Sequence, residues 1–256
     1  MPELEGRRRV VIEGVTPAID GGRFPIKRVC GETVSVEADA FCDGHDVLGC
    51  VLRFRPVGSA DWDEAPMAAL GNDRWGGVFA VSHTGIYHYT VMAWIDRFTT
   101  WWRARAKKVE ASQDVAIDLL IGAELVQRAS MRASGAIAQQ LRAWATLLQD
   151  DRRTVGERGR IAFDEALRIA MQQYPDRDLA TTYSPELTVV VDRPKARFSA
   201  WYEMFPRSCA SSPGQHGTFK DCEARLPYVA AMGFDVIYLP PIHPIGVTHR
   251  KGRNNV

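Results

Sequence analysis

Two apolar runs, residues 198–205 and 236–239, flank about thirty residues that start as a polar loop and continue with helical composition. That length and order specify a strand–helix–strand crossover, which makes the two strands parallel, because antiparallel neighbours need only a short hairpin. Residues 198–205 are short, aromatic and apolar, as a strand buried on both faces requires. Residues 207–217 read as a long loop rich in Ser, Pro and Gly. Residues 219–231 read as helix, but Pro227 has no backbone N–H to donate. A kink there is expected, or a second short helix with Pro227 near its first position. Gly233 is placed to stop the helix. Pro240 and Pro241 end the second strand, since neither can donate to a ladder. A parallel barrel carries its chemistry on the loops that follow its strands. Binding groups are therefore sought after each of the two runs.

The first hundred or so residues have a different texture. Residues 32–41 alternate, with Val34, Val36, Ala38 and Ala40 on one face. Cys50, Leu52 and Phe54 alternate next, and residues 78–81 follow the expected turn at Gly76 and Gly77. Residues 85–96 alternate again. Short alternating strands between Gly, Pro and Asp turns predict an antiparallel β-sandwich of the immunoglobulin-like kind. Gly85-x-Tyr87-x-Tyr89 is the pattern in which a tyrosine hydroxyl ties down the turn into a late sandwich strand.

Residues 111–174 contain no proline and are rich in Ala, Leu, Gln and Arg, which favours helices. Ile137, Leu141, Trp144 and Leu148 draw one apolar stripe, and Phe163, Leu167, Met171 and Tyr174 draw another. Gly156 and Gly159 lie between the stripes, and Pro175 stops the last helix. This reads as a helical bundle inserted into the sandwich. Its stripes have three possible partners: each other, the sandwich, or a second subunit. Residues 187–191 form a strand that returns to the sandwich, and residues 192–195 form a linker.

A formal net charge of +1 argues against general nucleic-acid or anionic-membrane binding. The basic run Arg7-Arg8-Arg9 has no further basic cluster beside it and reads as a solvated end. No apolar stretch approaches the roughly 20 residues that span a bilayer. The N-terminal residues lack an apolar segment of signal-peptide type. Cys30, Cys42, Cys50, Cys209 and Cys222 are odd in number, scattered and free of C-x-x-C spacing, so neither a zinc site nor a disulfide framework is expected. Reduced thiols in a cytoplasmic protein are the expectation.

Gly233-Phe234-Asp235-Val236-Ile237-Tyr238-Leu239-Pro240-Pro241-Ile242 resembles the second barrel strand of the α-amylase superfamily (glycoside hydrolase family 13). Three longer stretches are more specific: Trp201-Tyr202-Glu203-Met204-Phe205-Pro206-Arg207-Ser208, Leu239 through Gly246, and His249 through Asn255. Together they resemble the α-1,4-glucan:maltose-1-phosphate maltosyltransferases of that superfamily. The close resemblance covers about sixty residues, and the domain order extends it loosely over the chain. It implies a sandwich over residues 1–110, a helical insertion over 111–180, a return strand and linker over 181–195, and the start of a (β/α)8 TIM barrel over 196–256.

The same resemblance implies a retaining transfer of maltosyl units from α-maltose 1-phosphate to the non-reducing ends of α-1,4-glucan, with release of phosphate. Two carboxyl groups roughly 5 Å apart suit a covalent glycosyl intermediate. The nucleophilic Asp and the acid/base Glu follow later barrel strands and are expected beyond residue 256, so no catalytic residue is assigned in this chain and the chain alone is expected to be inactive. No metal and no organic cofactor are implied. A homodimer built through the sandwich and the helical insertion is implied.

Lys251 matches the lysine that the family uses at its sugar-phosphate donor, where an ammonium supplies charge-assisted hydrogen bonds to the anion. His243, His216, Asn254 and Asn255 lie nearby in sequence and are left without a role. Glu203, Asp221, Glu223 and Asp235 read as structural carboxylates. Trp94, Trp101 and Trp102 form an aromatic cluster that could stack on sugar rings. Alternation puts Trp101 and Trp102 on opposite faces of a strand, so at least one is expected to be core. Two rival functions remain: another glucan hydrolase of the superfamily, or a non-enzymatic module for glucan binding or assembly.

Overall fold

The computed structural model describes residues 6–110, 115–243 and 246–252. The chain divides into two compact units, Met1–Val191 and Asp192–Val256. In the first unit eight strands come first: β1 (Val10–Thr16), β2 (Ile26–Val29), β3 (Thr33–Cys42), β4 (Leu48–Pro56), β5 (Asp63–Pro66), β6 (Ala68–Gly71), β7 (Arg74–Ala80) and β8 (Gly85–Ile95). Five helices follow: α1 (Arg97–Glu110), α2 (Ala116–Arg132), α3 (Gly135–Gln149), α4 (Val155–Ala162) and α5 (Glu165–Gln173). Strands β9 (Thr181–Thr182) and β10 (Leu187–Asp192) close the series. One sheet has the order β1-β3-β7-β6 and the other the order β2-β10-β8-β4-β5, with β9 also on β8.

The two sheets share one apolar core. Val34, Val36, Ala38 and Ala40 of β3 are at most 1% exposed, and they meet Leu52, Tyr89, Val91 and Val189 of the other sheet. This is the period-2 pattern at work, with every second residue facing inward. β10 runs antiparallel to β8 with Val189 opposite Tyr87, so the chain re-enters this sheet after the helices.

Two local expectations are corrected. Gly76 and Gly77 do not make the turn; they lie inside β7. The turn is made by Asn72 and Asp73, both with positive φ (49° and 61°), which these residue types tolerate. Gly77 instead gives room to Met67, whose Cγ would stand 2.9 Å from a Cβ at that position. Tyr89 likewise does not tie down the turn into β8. Its hydroxyl donates to the carbonyl of Pro17, just beyond the end of β1, at 2.5 Å. Burial pushes the Tyr89 phenol up to about 12. Tyr89→Phe removes this donor and strands the Pro17 carbonyl. A loss of about 1 kcal/mol in urea-unfolding free energy is expected, and an unchanged midpoint would contradict this role.

The helices begin fourteen residues before the compositional break at 111. Asp96 caps α1, accepting the Thr99 amide at 2.9 Å and the Thr99 hydroxyl at 2.6 Å. Trp101 and Trp102 therefore sit on a helix, not a strand. The Trp101 ring lies against Gly122 of α2, and its indole N–H donates to the Asp118 carbonyl at 2.7 Å. Both apolar stripes are covered within the chain. Leu141, Trp144 and Leu148 of α3 pack with Leu167 and Met171 of α5, Leu119 of α2, and Phe98 and Trp101 of α1. Gly156 and Gly159, between the stripes, belong to α4. That helix starts at a reciprocal cap: Glu157 accepts the Thr154 amide and hydroxyl, and Thr154 Oγ1 accepts the Glu157 amide.

The second unit holds β11 (Trp201–Glu203), α6 (Phe219–Ala231) and β12 (Val236–Tyr238). β11 and β12 are parallel, with Tyr202 opposite Ile237. Pro227 lies inside α6, which continues past it as one helix, so no second helix starts there. Gly233 has φ +86° and follows the helix, donating to the Ala230 carbonyl at 2.9 Å. Burial of β11 on both faces is not found among the described residues: Trp201 is 60% exposed, and Phe198 and Phe205 beside it are also exposed.

Candidate functional site

The parallel pair is pinned at its N-terminal end. The amides of Asp235 and Val236 both donate to the Ala200 carbonyl, at 2.9 and 3.2 Å. The Asp235 carboxylate accepts the Ala200 amide at 3.1 Å and Lys195 Nζ at 2.5 Å. At the other end the Met204 amide donates to the Tyr238 carbonyl at 3.1 Å, and the two loops then leave the strands. The first loop starts with a 3-10 turn, Pro206–Cys209, and closes where the Gly217 amide donates to the Arg207 carbonyl at 2.9 Å. The second runs through Pro240 and Pro241 towards Lys251.

Lys251 is exposed, and no ion pair to it occurs among the described residues. Its ammonium is thus open to an anion arriving from solvent. His243 and His216 are also exposed, and no hydrogen bond joins either of them to Lys251 among the described residues. Asn254 and Asn255 lie outside the described residues. Of the four carboxylates Glu203, Asp221, Glu223 and Asp235, three are engaged in local structure. Asp221 accepts the Thr218 amide and hydroxyl at the start of α6, both at 2.7 Å. Glu223 pairs with Lys220 at 2.7 Å, and Asp235 holds the strand entry as above. Glu203 is exposed at the end of β11. An open hollow of about 790 Å³ is lined by Lys195, Phe198, Trp201, Asp235, Val236 and Ile237. It lies at the strand entry, beside the N-terminal ends of β11 and β12. Among the described residues no group of three His, Cys, Asp or Glu side chains could hold a metal ion.

The Thr218 hydroxyl and amide hold the Asp221 carboxyl below its ordinary value of 3.8, and Lys195 followed by the Ala200 amide does the same for Asp235. A depressed folded-state value means that the unfolded chain binds the proton more tightly. Their stabilisation is therefore present above about pH 4 and fades as pH falls through the lowered values. Thermal melts from pH 7 down to pH 3 are expected to show Asp235→Asn losing less stability on acidification than the parent. Parallel curves would contradict this.

Trp94, Trp101 and Trp102 are engaged in packing inside the first unit. Trp94 is 7% exposed, with Gly49 against its indole and the Arg177 guanidinium 4.4 Å from its ring centre. Trp101 is buried, and Trp102 meets Phe163 edge-on at 5.4 Å.

A family model described as "Alpha-1,4-glucan:maltose-1-phosphate maltosyltransferase, domain N/S" matches residues 8–193, which include both sheets and all five helices of the first unit. The chain belongs to the alpha-1,4-glucan:maltose-1-phosphate maltosyltransferase family. Proteins with that name in Chlorobaculum tepidum, Methylacidiphilum infernorum and Myxococcus xanthus are 49%, 43% and 46% identical to it. The matches cover 98%, 98% and 96% of this chain, and thus extend through the parallel pair into the loop after β12. They cover 37%, 37% and 38% of those maltosyltransferases. The chain therefore spans well under half the length of the curated relatives it matches. No helix among the described residues is long and apolar enough to cross a membrane.

Proposed function

We propose that the protein carrying this chain transfers maltosyl units from α-maltose 1-phosphate to the non-reducing ends of α-1,4-glucan by a retaining mechanism, releasing phosphate. The observation that carries this reading is the near-complete match of the chain to proteins named for that activity. The parallel β11–α6–β12 unit is the first turn of a (β/α)8 barrel in this reading. The two-sheet unit is an immunoglobulin-like sandwich, interrupted by the helices after β8 and resumed at β9. Lys251 binds the donor phosphate from the loop after β12, a reading supported by its exposure and by the lack of a carboxylate partner among the described residues. The nucleophilic Asp and the acid/base Glu belong to later barrel strands, beyond residue 256.

The partners are α-maltose 1-phosphate, α-1,4-glucan and a second copy of the protein. The stripes on α3 and α5 no longer support the dimer, because both are covered inside the chain. Ile117, Leu120 and Ile121 of α2 are 75%, 49% and 47% exposed and give the helical insertion an apolar face for that role. A cytoplasmic setting suits five cysteines that are all free thiols. Light scattering on the full-length protein is expected to give a dimer, and a strict monomer would remove that part of the proposal. Residues 1–256 alone are expected to release no phosphate from α-maltose 1-phosphate, and turnover by that piece would contradict the assignment of the carboxylates to later strands.

A further inference from the structure

Cys209 and Cys222 come from opposite ends of the loop that follows β11. Cys209 ends the 3-10 turn Pro206–Cys209, and Cys222 lies in the first turns of α6. The loop between them is pinched at its neck: Gly217 donates to the Arg207 carbonyl, and a Cβ on Gly217 would stand 2.6 Å from the Ala210 amide. That neck carries both thiols into one small core with Met204, where each cysteine is 6% exposed. Cys209 Sγ donates to the Phe205 carbonyl at 3.3 Å. Met204, Cys209 and Cys222 are the buried members of that cluster, so the two cysteines pack in one core, and burial raises the Cys222 thiol. Cys30, Cys42 and Cys50 belong to the other unit, with Cys50 beside Met67 rather than beside another thiol.

We propose that Cys209 and Cys222 are a redox-modifiable pair, closed to a disulfide by a peroxide, and that closing it staples the neck of the loop after β11 to α6. The reaction balances with hydrogen peroxide as the oxidant. One thiolate attacks a peroxide oxygen, giving a sulfenic acid and releasing hydroxide, which takes up the thiol's proton as water. The second thiol then attacks the sulfenic sulfur and expels a second water as the S–S bond forms. Two thiols are oxidised and one peroxide is reduced. A dithiol reductant reverses the step by exchange through a mixed disulfide. The thiolate is the attacking form, so closure is faster in mildly alkaline solution than at neutral pH. The consequence for the fold is local: the polar loop 210–217 loses freedom, while β11 and β12 keep their register.

The test uses the full-length protein, treated with hydrogen peroxide at pH 7 and pH 8.5, then unfolded in iodoacetamide without reductant and digested. The expected product is a cross-linked peptide joining Cys209 to Cys222. The thiols of this region fall from five to three, five less the pair. Treatment with dithiothreitol restores all five. Cys209→Ser is expected to abolish the cross-link and leave Cys222 alkylated. Recovery of both cysteines in alkylated form after peroxide treatment would overturn the proposal. So would their oxidation to sulfinic acids without a cross-link, or pairing of either one with a cysteine elsewhere. If Cys209→Ser does not fold, Cys222→Ala serves in its place, with the same expected loss of the cross-link.

Discussion

Lys251→Met is expected to lower kcat/KM for α-maltose 1-phosphate by about 10- to 100-fold in the full-length protein. The size follows from the interaction removed: a hydrogen bond to a charged group contributes about 1.5–3 kcal/mol, and each 1.4 kcal/mol is about tenfold. The side chain is exposed, so the same substitution is expected to change stability by no more than about 0.5 kcal/mol. That separation makes the variant informative, because a loss of activity cannot be assigned to unfolding. Lys251→Arg keeps the charge but presents a planar fork instead of a compact ammonium, and an intermediate loss is expected. Raising the salt concentration is expected to weaken donor binding in the parent more than in Lys251→Met. If Lys251→Met turns over the phosphorylated donor at the parent's rate, Lys251 does not meet the phosphate.

Leu141→Ala carries the largest expected effect on stability. Leu141 is fully buried on α3, in a core assembled from Phe98, Trp101, Leu119, Trp144, Leu148 and Leu167. Truncation there costs about 2–5 kcal/mol, from lost transfer energy and the cavity left behind. Gly122→Val attacks the same core from the other side. A Cβ at Gly122 would stand 2.1 Å from the Trp101 ring, so the ring or the two helices must shift. Overpacking of this kind costs about 1–3 kcal/mol. Ile117→Ala on the exposed face of α2 is the contrast, with little effect expected on the monomer's stability. Thermal or urea unfolding monitored by tryptophan fluorescence reads all three. Near-parent stability for Leu141→Ala would mean that the stripe is not buried within the chain.

The period-2 runs of β3, β4 and β8 and the stripes on α3 and α5 were legible in the sequence because burial alone decides them. The crossover between β11 and β12 was legible from its length. Harder to read were features set by one or two side chains. The α1 start depends on Asp96 capping Thr99, while the aromatic run through Trp101 and Trp102 has the composition of a strand. The β6–β7 turn depends on Asn72 and Asp73 adopting positive φ, while the nearby Gly76-Gly77 has the more turn-like composition. The Tyr89 hydroxyl reaches a carbonyl 72 residues earlier, a partner that no local pattern specifies. The role proposed for Lys251 rests on resemblance and not on physics: an exposed lysine in a basic loop has no electrostatic signature of its own. Asp235 shows the reverse case. Its position before β12 made a catalytic role improbable, and its contacts with Lys195 and Ala200 explain what it does instead.

The central claim is tested most directly by phosphate release. The full-length protein is incubated with α-maltose 1-phosphate and an α-1,4-glucan acceptor, and free phosphate and chain length are followed together. Phosphate release in step with growth of the glucan by maltosyl increments is the predicted result. Hydrolysis of the glucan with no dependence on the phosphorylated donor, or no phosphate release at all, would contradict it.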